Sequence, residues 1–429
     1  MSDSPHSSWP SATLDSAAEL ENSLVSVLET AARHGRAAEA WDALTTAGTP
    51  IMHPSCGAAS FLFRLPAGAP ATSSVHLRLN RLTDKENADR GVMRRIADTP
   101  MWVRTLDLPP TYRGSYGFQL VPPGRGKPHS EGPPPHNSCR TLPDPHARAQ
   151  LTQDGSNGLS IVAGSAAEVQ PHWPASPRPE ALTALRGTLI TDMLRDHTGT
   201  PLQVYLYLPE TSPEIGSHTD AALLTLFDAE TWFPRLQLPA ALEAAGSALP
   251  RLTVFGVCCE SIPQRIQRLG ANHEFLEFIS SVGTTWAVET ARTKGVRINL
   301  QRGNVLAGQS LGGLSCLYAA RHFPERYSAV IAQSPSLWWT PDGASTPKDL
   351  SIQRNDWITT QFWSSPSTRT PLPRIFLDVG ARENITVARL HVLSMALDAA
   401  RWPFQLQVYD GGHDYACWRG ALFNHLTHL

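Results

Sequence analysis

The sequence contains no long apolar run and no excess of charge of one sign. No stretch of about 18 consecutive apolar residues occurs in the 429 residues, so a membrane-spanning helix is not predicted. Lysine and arginine number 36 and aspartate and glutamate 38, a net charge of −2, which gives no global reason to bind nucleic acid or an anionic membrane. Residues 1–24 lack a basic segment followed by an apolar core, so export is not predicted either. We therefore expect a soluble cytoplasmic protein.

Cysteine is scarce and follows no pattern. The six cysteines show no C-x-x-C spacing, and the adjacent pair Cys258-Cys259 lies in a strand-like run, where alternate side chains point to opposite faces. We expect reduced thiols used as small core residues rather than a framework of disulfides. No metal site and no cofactor are predicted.

Proline, by contrast, is abundant, with 36 residues, and the chain is long enough for two domains. An i, i+3, i+4 apolar rhythm predicts a helical lead within residues 1–50. Short alternating segments such as "SFLFRLP" and "SYGFQLVP" predict a small antiparallel β-domain over residues 51–125. Residues 126–184 include a proline-rich stretch typical of a linker or connection.

Residues 185–429 alternate between strand-like and helical patterns. Apolar runs such as "RLTVFGVCC", "SAVIAQS" and "RIFLDVG" are separated by helical stretches that include Glu274–Lys294, Gly313–His322 and Ala388–Arg401. This alternation predicts an α/β fold with an open, mostly parallel sheet and helices on both faces.

The segment Gly308-Gln309-Ser310-Leu311-Gly312 reads G-x-S-x-G and lies between the strand-like "NVLAG" and a helical pattern. In a nucleophile elbow the serine lies on a sharp turn from strand to helix, and the flanking glycines avoid a clash of Cβ atoms. We therefore predict that Ser310 is a catalytic nucleophile. The alternative is a glycine-rich turn whose serine caps the helix.

A serine hydroxyl needs a base, and the order in α/β-hydrolases is serine, acid, histidine. His413 lies in "VYDGGHDYACWRG", directly after the last strand-like run, and is the predicted base. The segment "RIFLDVGARENI" offers two acids, Asp378 within the strand pattern and Glu383 on the following loop, where a triad acid belongs. Glu383 is preferred, and Asp414 is too close to His413 in sequence to be a first choice.

An oxyanion hole needs two backbone N–H groups, one of them from the residue after the nucleophile. Leu311 supplies the first. The strand-like "LLTLFDAETWF" ends at Asp228, so the N–H groups of Ala229, Glu230 and Thr231 are candidates for the second.

Several of these segments together resemble the enterochelin (ferric enterobactin) esterases, within the wider esterase D-like α/β-hydrolases. They are "GQSLGGLSCLYAARHFPERYSAVIAQSPSLWW", "DAETW", "DVGARE" and "DGGHDYACWRG", together with "VHLRLNRLTDKE" and "MRRIADTPMWVRTLDLPPTYRGSYGFQLVP" in the first domain. The resemblance runs from about Ser60 to the C-terminus. It implies an α/β-hydrolase domain preceded by a β-sandwich domain, with Ser310, His413 and Glu383 as the catalytic residues.

The resemblance also implies the reaction: hydrolysis of the ester bonds of a tri-serine lactone catecholate siderophore, with iron present only as part of the substrate chelate. Two positions depart from the family. Arg268 replaces the acidic residue of an R-x-x-E-L-x-x-N segment, and Ala229 stands where glycine is common, so its β-carbon is expected to narrow the oxyanion loop.

A ferric tris-catecholate carries a net charge of about −3, so its binding requires cations and aromatic surfaces near the serine. The candidate cations are Arg382, Arg265, Arg268 and Arg104. The candidate aromatic walls are Trp102, Trp232, Trp339 and Trp418. Two alternatives stay open at this point: an esterase for other aryl or acyl esters, such as feruloyl compounds, and an inactive binding protein.

Overall fold

The computed structural model describes two compact units, residues 1–150 with 155–168 and residues 151–154 with 169–429. The described residues are 16–69, 72, 74–122, 141–152, 158–211, 220–301, 303–351, 353, 356–364 and 371–429. The first is called the N-terminal unit and the second the C-terminal unit.

Two helices open the N-terminal unit, α1 (Ala17–Arg33) and α2 (Ala37–Thr45), within the predicted helical lead. Ser16 caps α1 by accepting a hydrogen bond from the N–H of Glu19 at 3.3 Å. The buried face of these helices packs on strand residues of the same unit. This small core contains Leu24, Val25, Leu28, Trp41, Leu44, Leu62, Ile96, Met101 and Val103.

In the described residues of this unit, eight strands form two antiparallel sheets. They are β1 (Ile51–His53), β2 (Ala58–Arg64), β3 (Ser74–Leu79), β4 (Arg94–Arg95), β5 (Met101–Asp107), β6 (Arg113–Val121), β7 (Thr141–Leu142) and β8 (Ser160–Ala163). One sheet has the order β1-β2-β5-β4, and in the other β6 pairs with β3, β7 and β8. Phe61 and Phe63 of the first sheet share a core with Tyr116 and Phe118 of the second, which makes the unit a β-sandwich.

The N-terminal unit extends beyond the predicted 51–125. Strands β7 and β8 lie inside the predicted connection 126–184, and both pair with β6. Both segments are shorter than a usual strand, and β7 is followed by Pro143 and Pro145, so neither shows the alternating pattern that predicts a strand. The proline-rich stretch 123–140 lies outside the described residues.

The C-terminal unit is built on one eight-stranded sheet of order β16-β15-β14-β13-β11-β12-β10-β9. Its strands are β9 (Thr188–Arg195), β10 (Pro201–Leu208), β11 (Ala222–Phe227), β12 (Leu252–Val257), β13 (Asn304–Gln309), β14 (Ala329–Gln333), β15 (Arg374–Gly380) and β16 (Phe404–Tyr409). Strands β11 to β16 run parallel, while β10 pairs antiparallel with β9 and β12. The predicted α/β class with a mostly parallel sheet is confirmed.

Nine helices in the described residues accompany this sheet. They are α3 (Ala229–Trp232), α4 (Leu238–Ala245), α5 (Ile262–Leu269), α6 (His273–Phe278), α7 (Thr284–Thr293), α8 (Leu311–His322), α9 (Trp357–Thr360), α10 (Ile385–Ala399) and α11 (Tyr415–Leu426). The predicted helix over 274–294 is α6 and α7 joined by a π-turn at Ile279–Gly283.

Both faces of the sheet are covered. Leu306, Val330 and Leu377 belong to the main core, and the intervening Val305 and Ile331, which point the other way, are also buried. Continuous apolar strands are what a parallel sheet between two layers requires. The five described cysteines are free thiols, four of them buried. Among the described helices, none combines the length and apolar character that crossing a bilayer requires.

Candidate active site

Ser310 lies between the end of β13 and the start of α8, with φ 58° and ψ −114°. This backbone conformation costs a non-glycine residue on the order of 1–3 kcal/mol, and the surrounding structure must hold it in place. Its N–H donates to the carbonyl of Gln333 at 2.9 Å, and its carbonyl accepts the N–H groups of Leu314 and Ser336, both at 3.0 Å. The serine therefore occupies a strained turn at the carboxyl edge of the parallel sheet.

Glycine is required before this turn, and the space after the turn is tight. A Cβ on Gly308 would lie 2.5 Å from the carbonyl carbon of Gly312, and a Cβ on Gly313 would lie 3.1 Å from the carbonyl oxygen of Gln333. The contact at Gly308 leaves room for hydrogen only, and the contact at Gly313 is tighter than an ordinary one, so both glycines let α8 approach the strand closely.

Glu383 and His413 meet at the same edge of the sheet. Glu383 ends a 3₁₀ turn, Ala381–Glu383, that follows β15, and its Oε2 lies 2.7 Å from Nδ1 of His413. Its Oε1 accepts the hydroxyl of Ser334 at 2.6 Å and the N–H of Gly380 at 3.1 Å. Because Nδ1 faces the carboxylate, a neutral His413 carries its proton on Nδ1 and has Nε2 as its basic nitrogen.

Burial by itself would raise the pKa of the Glu383 carboxyl. The neighbouring His413 and the hydrogen bonds from His413, Ser334 and Gly380 favour the carboxylate more strongly, so the pKa lies below its ordinary value. Glu383 is 3% exposed. It is therefore a buried, ionised acid held against an imidazole.

The loop that carries His413 is fitted closely against the acid loop. A Cβ on Gly380 would lie 2.4 Å from the carbonyl oxygen of Gly411, and the N–H of Arg382 donates to that same oxygen at 3.0 Å. The ring of Trp418, on α11, stands edge-on to the imidazole of His413 with centroids 4.7 Å apart. Strands β13 to β16 are neighbours in order, so serine, acid and histidine all follow strands of one sheet edge.

The other acids have different partners. Asp378, the alternative within β15, is fully buried, and its Oδ2 lies 3.0 Å from Nε2 of His425 and 3.0 Å from Nε2 of Gln333. His425 is itself buried, at 1% exposed. Asp414 accepts the N–H of Ala416 and caps α11. Neither acid is oriented toward Nδ1 of His413, which Glu383 occupies.

The oxyanion candidates lie beside the elbow. Leu311 is the first residue of α8 and Ala229 the first residue of α3, and such N–H groups have no partner within their own helix. A Cβ on Gly312 would lie 3.4 Å from Cβ of Phe227, so the end of β11 adjoins the start of α8. The methyl of Ala229 would be 2.8 Å from a Cβ on Gly256, so it packs over β12, in space that Gly256 leaves.

Glu230 was predicted as a backbone donor, but its side chain also makes a hydrogen bond within the fold. Its carboxylate accepts the N–H of Cys259 at 3.0 Å, and burial together with the neighbouring Asp228 raises its pKa. Thr231, the last candidate, donates its N–H to the carbonyl of Asp228 at 2.9 Å and is thereby occupied.

Two predicted substrate arginines are engaged within the fold. Arg268 is 3% exposed, and its guanidinium bonds Asp196 and the carbonyl of Pro201, so the expectation that it contacts substrate is corrected. Arg265 makes a two-point ion pair with buried Asp228, at 2.7 and 2.8 Å, and donates to the carbonyl of Gln309 at 3.0 Å. Its side chain is a quarter exposed, next to the nucleophile elbow.

The other two arginines are partly exposed. Arg382 pairs with Asp410 at 2.9 Å and adjoins Glu383 in sequence. Arg104 belongs to the N-terminal unit, where it donates to the carbonyl of Arg90 and lies 3.6 Å from Glu21.

The four candidate tryptophans also differ in how far they are exposed. Trp232 is fully buried and donates to Oε1 of Gln309, so its predicted role as a substrate wall is corrected. Trp418 is 4% exposed and supports His413 and Ser334. Trp102 lies in the core of the sandwich. Trp339 is half-buried, edge-on to Trp357, and is the one of the four that has a partly open surface.

Sequence reasoning missed Ser334 and Ser336. Both are buried, and each places its hydroxyl within hydrogen-bond distance of a predicted catalytic residue. Their signal was present: "QSPS" directly follows the strand that neighbours the elbow strand, at the edge where polar side chains meet. Within the described part of the chain, no three or more histidine, cysteine or acidic side chains form a group able to hold a metal ion.

Comparison with known proteins gives the following relations. A family model described as "Putative esterase" matches residues 196–429, and one described as "Enterochelin esterase, N-terminal" matches residues 58–173. The iron(III) salmochelin esterase of Escherichia coli O6:H1 is 32% identical over 393 residues, which cover 90% of this chain and 91% of that protein. The iron(III) enterobactin esterase of Dickeya dadantii is 28% identical over 416 residues, with the same coverage.

A solved structure shares the fold. The ferric enterobactin esterase of Salmonella typhimurium superposes with a TM-score of 0.72 and 22% identity, and the match covers 91% of this chain and 98% of that one. The order of a β-domain followed by an α/β-hydrolase domain is therefore common to both.

Proposed function

Since the chain belongs to the enterochelin esterase family of α/β-hydrolases, we propose that it is a serine esterase that cleaves the ester bonds of a tri-serine lactone catecholate siderophore. Its relatives are named for iron(III) salmochelin and iron(III) enterobactin, which supports this substrate class. In the proposal iron enters only as part of the substrate chelate, no cofactor takes part, and iron is released in the cytoplasm.

The observation that carries the proposal is the 2.7 Å hydrogen bond between Glu383 and His413, at the same sheet edge as the strained Ser310. In the proposed reaction His413 Nε2 takes the proton of Ser310 as its Oγ attacks the ester carbonyl. Glu383 holds the Nδ1–H tautomer and stabilises the imidazolium. The N–H groups of Leu311 and Ala229 receive the oxyanion.

Collapse of the tetrahedral intermediate expels the serine alkoxide of the lactone, which His413 protonates, and leaves an acyl group on Ser310. Water then attacks this acyl-enzyme, again with His413 as base. The products are a carboxylic acid and free Ser310, so each round opens one ester of the trilactone.

Substrate binding is proposed at the partly exposed groups near this edge. The side chains of Arg265 and Arg382 are about a quarter exposed beside the elbow and the acid loop, and Trp339 is half-buried. An anionic catecholate favours cations and aromatic faces.

The test compares wild type with Ser310→Ala on ferric enterobactin and on a small aryl ester, with products separated by chromatography. We expect the variant to lose activity by on the order of 10⁴-fold or more, and a fluorophosphonate probe to label only the wild type. A Ser310→Ala protein that still hydrolyses the siderophore would remove Ser310 from the mechanism. A preference for the small ester would instead redirect the substrate assignment.

A further inference from the structure

The segment Ser334-Pro335-Ser336 follows β14, the strand that lies between the nucleophile strand β13 and the acid strand β15. Ser334 Oγ lies 2.6 Å from Oε1 of Glu383, and Ser336 Oγ lies 3.1 Å from Oγ of Ser310. The two serines are 1% and 3% exposed. One short segment therefore contacts both the acid and the nucleophile.

The backbone of this segment is held on both sides. The N–H of Ser334 donates to the carbonyl of Asp378 on β15 at 2.7 Å, and the N–H of Ser336 donates to the carbonyl of Ser310 at 3.0 Å. Ser334 has φ 44°, a left-handed conformation that is uncommon without glycine. Strained backbone conformations of this kind cluster at functional sites, where the surrounding structure holds them in place.

The hydrogen of the Ser334 hydroxyl has a defined direction. The indole N–H of Trp418 can only donate, and its Nε1 lies 3.0 Å from Ser334 Oγ, so the hydroxyl accepts there. Its own hydrogen is then directed to the carboxylate of Glu383. The Trp418 ring also contacts His413. Ser334, Glu383, His413 and Trp418 therefore form a closed ring of contacts.

We propose that Ser334 and Ser336 are positioning residues with separate tasks: Ser334 fixes the acid and imidazole pair, and Ser336 fixes the hydroxyl of the nucleophile. The proposal rests on the triad of the proposed function and deepens it. Neither serine reacts, so no bond is formed or broken at either hydroxyl.

The test uses Ser334→Ala and Ser336→Ala, with Ser315→Ala as the matched control. Ser315 is also fully buried in the C-terminal unit, but its hydroxyl donates to the carbonyl of Leu269 and contacts no catalytic group. Ser334→Gly is the second variant at that position, because glycine removes the hydroxyl and also relieves the left-handed backbone.

For Ser334→Ala and Ser334→Gly we expect kcat to fall about 10- to 10²-fold, with KM within about twofold of wild type. The downfield proton resonance of His413 Nδ1–H, assigned by its loss in His413→Gln, should shift in both. For Ser336→Ala we expect fluorophosphonate labelling of Ser310 to slow about 10-fold, while that resonance stays in place. Ser315→Ala should match wild type in every readout.

The proposal is overturned if the Ser334 and Ser336 variants behave like Ser315→Ala while Ser310→Ala is inactive, because the triad would then stand without them. It is also overturned if the resonance shifts equally in Ser336→Ala, since the tasks would not be separate. Activity retained by Ser310→Ala would instead reject the proposed function itself.

Discussion

Each unit of the protein buries one carboxylate that accepts a hydroxyl hydrogen bond of 2.6 Å. In the β-sandwich, Asp144 accepts from Thr49, and it also binds the hydroxyl of Tyr116 at 2.8 Å and the N–H of His146 at 2.9 Å. In the hydrolase unit, Glu383 accepts from Ser334 and faces His413. Asp144 is 0% and Glu383 3% exposed, so burial does not distinguish them.

Their pKa values nevertheless move in opposite directions. Burial raises the pKa of Asp144, and the hydrogen bonds from Thr49, His146 and Tyr116 offset only part of this effect. Burial also raises the pKa of Glu383, but the charge and hydrogen bond of His413 reverse it. A buried carboxyl group that accepts only from neutral donors has a structural role. One that faces an imidazole stays ionised and can stabilise that imidazole when it takes up a proton.

The largest effect is expected from Glu383→Gln. The amide keeps the shape but no longer fixes the Nδ1–H tautomer or stabilises the imidazolium, so kcat should fall on the order of 10³- to 10⁴-fold. Because the amide nitrogen faces a hydrogen-bond donor, the melting temperature should fall as well, and kcat is therefore measured below the onset of unfolding. A kcat within tenfold of wild type would mean that Glu383 is not the triad acid.

Asp144→Asn should lower stability without the loss of kcat. The amide nitrogen then faces hydroxyl and N–H donors, so buried hydrogen bonds are lost and the free energy of unfolding should drop by about 1–3 kcal/mol. We expect kcat to stay within about twofold of wild type. Urea denaturation and steady-state kinetics on the same preparation check both; a selective loss of kcat would give this acid a catalytic role.

The contributions of the two acids to the free energy of unfolding should change with pH in opposite directions. Asp144 has a raised pKa, so its ionisation destabilises the folded state, and its contribution is lost as pH rises from the unfolded value of 3.8 through the folded pKa. Glu383 has a lowered pKa, so its contribution is present above 4.5 and is lost as pH falls through the folded pKa.

Urea denaturation between about pH 3 and 6 therefore shows two trends of opposite sign. The stability of wild type minus that of Asp144→Asn should decrease with rising pH, and wild type minus Glu383→Gln should increase. Two slopes of the same sign would show that the two environments do not differ as described.

The smallest effect is expected from Thr49→Ala, which removes one neutral donor from Asp144. The loss should be about 1 kcal/mol of unfolding free energy, without a change in kcat. Thr49→Ser, which keeps the hydroxyl, is the control and should recover most of that stability in urea denaturation. If Thr49→Ser is as unstable as Thr49→Ala, the methyl group rather than the hydrogen bond accounts for the loss.

The catalytic candidates were accessible to sequence reasoning because they depend on local patterns. Only a strand, a tight turn and a helix are needed to recognise the environment of Ser310, and chain order then leads to Glu383 and His413. The arginine and tryptophan candidates were not accessible in this way. Arg268 and Trp232 read as ligand groups by chemistry, yet their partners, Asp196 and Gln309, lie 72 and 77 residues away in sequence.

The sequence by itself determined the class of each unit and the residues able to act as nucleophile, base and acid, because periodicity and glycine placement are properties of neighbouring residues. Tertiary structure alone decided which polar groups face one another. In the folded chain His425 pairs with Asp378 in the interior, and Oε1 of Glu383 accepts the hydroxyl of Ser334. The hydroxyl of Ser336 lies within hydrogen-bond distance of that of Ser310. Hydrogen bonds between strands depend on sheet order, which no single segment encodes.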